Sequence, residues 1–159
     1  MINSAFLDVL RKLYAQLNGT DINWAITGSL CFALQGVPLS DIHDIDLQSD
    51  AAGVYEIERL FAENVIRKVE LSSTHNIRSH FGALLIDGIR VELMGDIEKQ
   101  ADETSDWEGP VDLQRVKRYV QVDEMRVPVM DLEHEYQAYW KMGRTAKAKL
   151  LRDWLDGKA

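Results

Sequence analysis

Two carboxylates stand two residues apart in His43-Asp44-Ile45-Asp46-Leu47. On an extended strand that spacing puts both on one face and Ile45 and Leu47 on the other. Adjacent like charges repel, and a fold tolerates them where solvent, a cation or a hydrogen-bond network compensates. A rise of about 3.3 Å per residue separates the two alpha carbons by roughly 6.6 Å. Side chains that lean together from there can share or bridge two metals about 3.5 to 4 Å apart. An all-oxygen donor set suits magnesium or manganese rather than zinc. Taken alone, an Asp-x-Asp is more often an ordinary turn or strand-end pair than a metal site.

A third carboxylate comes from a hairpin. Asp87-Gly88 is a strong two-residue turn signal, and with that turn Ile86 pairs with Ile89, Leu85 with Arg90, and Ala83 with Glu92. Ile89, Val91 and Leu93 then face the core while Glu92 faces the other side, opposite a small residue. Glu92 can converge with the Asp pair if the two strands are neighbours; without the pair it reads as a solvent-facing glutamate beside a basic side chain. Gly28-Ser29 lies where a strand turns into a helix. Glycine lets a ligand approach the backbone, helix N-terminal amides face an anion, and the serine hydroxyl adds a donor, as a nucleoside triphosphate requires. Taken alone, an isolated Gly-Ser is more often a plain serine N-cap. No G-x-x-x-x-G-K-S/T or G-x-G-x-x-G run occurs, which disfavours P-loop and Rossmann sites.

The elements that must position these residues follow from periodicity and punctuation. Phe6, Leu10, Leu13 and Leu17 recur at helical spacing, with Ser4 as the expected N-cap and an end near Gly19. Ile22, Trp24 and Ile26 predict a short strand running into Thr27-Gly28-Ser29, then a short helix over Leu30 to Leu34 capped by Ser29 and stopped by Gly36 and Pro38. A strand over Asp44 to Gln48 precedes a helix capped by Asp50 that carries Val54, Ile57, Leu60 and Phe61 on one face. Strands from about Ser79 to Ile86 and from Ile89 to Gly95 form the hairpin, and residues 98 to 110 read as an exposed loop. Tyr119 to Val122 and Arg126 to Val129 suggest another hairpin, with Pro128 pushing the second strand toward an edge. Helices over Asp131 to Met142 and Thr145 to Leu155 close the chain, ended by Gly143 and Gly157. The expected class is α+β, a mixed central sheet with helices packed mainly on one face. One domain over 1–159 is expected, with a core over 20–96 and a C-terminal helical part over 131–157.

Composition narrows the partners. A net charge of −8 disfavours a broad grip on a nucleic-acid backbone, which needs clustered Lys and Arg, so a small acceptor is expected over an extended polymer. No apolar run approaches the roughly 20 residues that span a bilayer, and no secretory leader is evident. A lone cysteine, Cys31, cannot form an internal disulfide and fits a reducing cytoplasm. With one cysteine, and with His75 and His80 not spaced as a zinc pair, a zinc cluster is not expected. His43 reads as a structural or exposed histidine more readily than as an acid-base group, and Trp140 and Trp154 as packing residues more readily than as base-stacking ones.

The segment from Ile26 to Leu47, with Gly28-Ser29, a helix and then Asp44-Ile45-Asp46, resembles the signature of the nucleotidyltransferase superfamily that shares the DNA polymerase beta palm. Glu92 in Val91-Glu92-Leu93 resembles its third carboxylate, one methylene longer than the usual aspartate. Length and element order are similar to short single-domain bacterial members, among them the aminoglycoside and lincosamide nucleotidyltransferases. The resemblance implies transfer of a nucleoside monophosphate from a triphosphate, with ATP as the expected donor, to an acceptor hydroxyl with release of pyrophosphate. Asp44 and Asp46 would hold Mg2+ or Mn2+, and Glu92 would bind the second metal, help deprotonate the acceptor, or both. Lys141-Met142-Gly143-Arg144 resembles a basic pair in relatives, so Lys141 and Arg144 are candidate phosphate contacts; they read equally as helix-end charges that favour the C-terminal dipole. An antitoxin-like interaction module or a non-catalytic nucleotide binder is compatible with the same fold, as is a homo-oligomer whose second subunit completes the cleft.

Overall fold

The computed structural model describes residues 2–39 and 41–157. The chain runs α1 Ser4–Leu17, β1 Trp24–Thr27, α2 Gly28–Leu34, β2 Ile45–Ser49 and α3 Ala51–Leu60. After a 3-10 turn at Ala62–Asn64 come β3 Val65–Thr74, β4 Ile77–Ile86, β5 Ile89–Lys99, α4 Leu113–Val116, β6 Lys117–Val122, β7 Met125–Met130, α5 Leu132–Lys141 and α6 Thr145–Leu155. The strands form one seven-stranded sheet in the order β3-β4-β5-β2-β1-β7-β6. It is mixed: β2 runs parallel to β5 and β1 parallel to β7, and the other neighbours are antiparallel.

The core sits on the face that carries Ile26, Leu47 and Leu93, which lie side by side on β1, β2 and β5 and are fully buried. Helix α3 packs there. Its Val54 and the carbonyl of Asp50 come so close to β5 that a Cβ on Gly95 would meet them at 2.7 and 2.8 Å. Asp50 caps α3 as expected, accepting from the Gly53 amide at 2.7 Å. Helix α1 buries Val9, Leu10, Leu13 and Leu17 and is tied to two strand turns, by Lys12 to Asp87 at 2.6 Å and by Arg11 to Asp123. Its cap is Asn3, not Ser4: the Asn3 side chain accepts from the Ala5 amide at 2.9 Å, which leaves Ser4 as the first helical residue.

Several boundaries differ from the sequence-based expectation for physical reasons. β1 begins at Trp24 rather than Ile22, and all four of its residues are buried because β2 and β7 flank it and helices cover it. Helix α2 starts at Gly28 with Thr27 in the cap position, so Ser29 lies in the first turn and caps nothing. Strand β3 was not apparent in the sequence; it is an edge strand whose register shifts twice against β4, which breaks the two-residue period, and only Val69 is buried. Pro128 lies inside the sheet, not at its edge. The edge is β6, and burial of Val127 and Val129 outweighs the one donor lost, while contact with β1 shrinks to the pair Ile26–Val129. The segment expected as a loop from 98 begins later, because β5 continues to Lys99, which bridges Glu108.

Asp131 caps α5 through the His134 amide at 3.2 Å. The closing helices dock on α2 through an edge-on contact of Phe32 with Tyr139, ring centroids 5.7 Å apart, and through Trp154 against Gly36. Trp140 stays 59% exposed, so it is not a core residue. Among the described residues no helix is long and apolar enough to cross a membrane.

Candidate active site

The hairpin pairs as predicted, Ile86 with Ile89, Leu85 with Arg90 and Ala83 with Glu92. Because β5 also pairs with β2, four residues stand in one row across the sheet: Thr27, Asp46, Glu92 and Ala83. Asp46 and Glu92 are thus direct neighbours on strands about 4.8 Å apart, on the face opposite Ile26, Leu47 and Leu93. Asp44 lies just before β2, two residues ahead of Asp46, and is half-buried.

Burial, then the charges of Glu92 and Asp44, push the Asp46 carboxyl up from 3.8 to about 7; Lys147 opposes the shift, and Glu135 adds to it. The turn from β1 into α2 holds Asp46 closely. Gly28 has φ +69, and a Cβ there would lie 2.4 Å from Asp46 Oδ2, so glycine alone lets the backbone turn and the carboxylate share that space. The Ser29 side chain is half-buried, and its hydroxyl makes no hydrogen bond among the described residues.

Helix α5 closes this side of the sheet with Glu135, a buried carboxylate that accepts from the Thr27 hydroxyl and from the Gly28 amide at 3.3 Å. Burial raises its pKa, and those two hydrogen bonds pull the other way. Helix α6 adds Lys147. Burial and the neighbouring Arg144 lower its pKa, while Asp46 and Glu135 raise it. Arg144 and Lys147 both lie over the Tyr139 ring, at 5.1 and 5.6 Å from its centroid.

Of the seven predicted site residues, Gly28, Ser29, Asp44, Asp46 and Glu92 gather around one end of β2, with Arg144 beside Lys147. Lys141 does not join them. It is held by Glu108 at 2.6 Å on the wall of a cavity that neither Asp46 nor Gly28 lines. Sequence reasoning missed Glu135 and Lys147. An acidic residue in the first turn of α5 and a lysine in an amphipathic α6 look like ordinary helix-dipole and surface charges, and no local signal sets them apart.

Glu92 leans toward Arg90, whose Nε is 3.2 Å away. Among the described residues no three His, Cys, Asp or Glu side chains are drawn together tightly enough to enclose a metal as they stand. The donor chemistry still fits a divalent cation. Asp46 and Glu92 are in-register carboxylates, burial and then the charge of Glu92 raise Asp46's proton affinity, both face away from the apolar core, and all the donors are oxygen. Such a row can also take up one proton between neighbours or bind the positive end of a ligand.

A family model described as aminoglycoside-2''-adenylyltransferase matches residues 9–155. A Thermotoga maritima protein described as a candidate nucleotidyltransferase is 56% identical, with 99% of this chain and 96% of that one covered and a TM-score of 0.86. The lincosamide antibiotic adenylyltransferase LnuA, solved with lincomycin bound, is 13% identical over 95% of this chain and 97% of its own, with a TM-score of 0.53. ANT(2'')-Ia, solved with adenylyl-2''-tobramycin, is 14% identical over 95% and 90%, with a TM-score of 0.61. At that identity the last two speak for the fold alone. No curated protein matches the chain in sequence.

Proposed function

Since the chain belongs to the aminoglycoside-2''-adenylyltransferase family, we propose that it moves a nucleoside monophosphate from a nucleoside triphosphate, ATP first, to a hydroxyl of a small acceptor, and releases pyrophosphate. The observation that carries this reading is the in-register row Thr27–Asp46–Glu92 with Gly28 leaving Asp46 the space beside the α2 turn. It puts two carboxylates next to a glycine turn whose serine hydroxyl is free to bind a ligand.

In this reading the Ser29 hydroxyl and the turn at Gly28 hold the terminal phosphates, with Arg144 and Lys147 supplying positive charge from the start of α6. Glu135 already engages the Gly28 amide, so its part is to fix the turn, not to touch the nucleotide. Asp44, Asp46 and Glu92 are the residues that would hold Mg2+ or Mn2+. When bound, such an ion neutralises phosphate charge and favours the alkoxide form of an acceptor hydroxyl. Glu92, beside Asp46 in the row, would accept that hydroxyl's proton. The acceptor oxygen then bonds to the alpha phosphorus, the bond from that phosphorus to the bridging oxygen breaks, and pyrophosphate leaves. Positioning and charge neutralisation supply most of the rate in such a step. The lone cysteine, buried in α2, is consistent with a cytoplasmic enzyme.

Calorimetric titration of ATP, GTP, CTP and UTP with and without magnesium tests the reading. Metal-dependent binding by the native protein that disappears in a folded Asp44→Asn, Asp46→Asn double variant supports it and licenses a screen of hydroxylated acceptors for pyrophosphate release. Absence of triphosphate binding by the native protein overturns it. Binding without turnover on any acceptor would favour a nucleotide-binding role.

A further inference from the structure

Strand β5 continues beyond Glu92 to Lys99, and there the chain folds back: the Lys99 amide donates to the Glu108 carbonyl at 2.9 Å, and the Glu108 amide to the Lys99 carbonyl at 2.7 Å. Helix α5 lies across this bridge. Between them is a cavity of about 280 Å³, lined by Gln48, Lys99, Glu108, His134, Gln137 and Lys141 among others. Gln48 is two residues along β2 from Asp46, so the cavity lies on the same sheet face but further from the α2 turn.

The charges in this cavity do not balance. Glu108 is engaged by Lys141 at 2.6 Å. The Lys99 side chain is half-buried, and its ammonium has no hydrogen bond or ion pair among the described residues. Burial lowers its pKa, Lys141 lowers it further, and the nearest compensation is through-space attraction to Glu135, which already accepts from Thr27 and Gly28. His134 is pushed toward its neutral form by burial and by Lys99 and Lys141, against the pull of Asp131. A partly desolvated ammonium that faces a second cation and has only a distant carboxylate for compensation is favoured by an anion beside it. Lys99 forms part of the cavity wall, so a ligand entering the cavity can reach it.

We propose that this cavity is a second ligand site, separate from the Asp46 row, that takes a small molecule through a carboxylate or phosphate group bound by Lys99 and Lys141, with the Gln48 and Gln137 amides as further donors. Its size is near the lower end for small-molecule pockets, about 300 Å³, which suits a metabolite-sized anion and excludes a polymer. Nothing in this assignment depends on the Asp46 row being catalytic.

The test uses inorganic phosphate and succinate as separate probes on magnesium-free protein, read by lysine side-chain NMR and by thermal unfolding. A saturable shift of the Lys99 ammonium resonance together with a rise in Tm is expected for one probe, and which probe succeeds distinguishes a phosphate from a carboxylate ligand. Lys99→Gln should weaken binding about tenfold or more, the scale of one charge-assisted hydrogen bond. Lys147→Gln should leave it unchanged. Should Lys99→Gln fail to fold, Lys141→Gln replaces it, and unchanged binding in that variant overturns the assignment. So does a response to neither probe, or a response lost in Lys147→Gln and kept in Lys99→Gln, which would place the anion at the Asp46 cleft.

Discussion

Replacing Asp46 by asparagine should make the metal-free protein more stable at alkaline pH while destroying its proposed function. Burial first, then Glu92 and Asp44, lift the folded-state pKa of Asp46 from 3.8 to about 7. A carboxyl whose pKa rises on folding adds stability that is complete below its unfolded pKa and is lost as pH climbs through its folded one. Between about pH 4 and pH 8 that loss is on the order of 4 kcal/mol. Asparagine keeps the shape of the side chain and removes the charge, so Asp46→Asn recovers most of it, roughly 2 to 4 kcal/mol at pH 8. For a chain of this length about 2 to 4 °C in Tm accompanies each kcal/mol. The assay is urea unfolding of native and variant protein in chelator at about pH 4.5 and about pH 8. A clear gain at the higher pH that vanishes at the lower one is expected. A variant that is less stable at pH 8, or equally stabilised at both, refutes the view that Asp46 is held against its own charge. The same variant should lose metal-dependent nucleotide binding, the exchange of stability for function expected of a residue kept for its chemistry.

Gly28→Ala forces a side chain into a left-handed conformation and to within 2.4 Å of Asp46 Oδ2; it should cost about 1 to 2 kcal/mol from the backbone alone and weaken metal-dependent nucleotide binding at least tenfold by calorimetry, the scale of one lost charge-assisted contact. Glu135→Ala leaves the Gly28 amide and Thr27 hydroxyl without their acceptor and should destabilise by about 1 to 3 kcal/mol in urea unfolding, whereas Glu135→Gln, which retains an acceptor oxygen, should lose less. Lys147→Met should weaken triphosphate affinity roughly tenfold, and Lys141→Met, which removes a cation already held by Glu108, should leave triphosphate affinity nearly unchanged; equal losses would show that Lys141 and Lys147 grip the phosphates together.

Much of this molecule is written locally. The Asp87-Gly88 turn sets its own hairpin register, so the pairing of Ala83 with Glu92 and the burial of Val91 and Leu93 follow from the residues between them. Asp44 and Asp46 show their spacing, and the four long helices show their apolar faces, because a period of two or of 3.6 is complete within a few residues. Tertiary structure decided the rest. That β2 lies beside β5, and so brings Asp46 level with Glu92, depends on a parallel pairing between segments more than 40 residues apart, which no turn between them specifies. Strand β3 takes its place from the free edge of β4 and not from a pattern of its own, and Pro128 is admitted to the interior because the core there needs Val127 and Val129. Glu135 and Lys147 acquire their meaning only when α5 and α6 fold over the Gly28 turn. A helix records in sequence which of its faces is apolar, but what a charge on it will meet is settled by the packing of distant elements, where the cost of leaving any buried polar group unpaired is imposed on the fold as a whole.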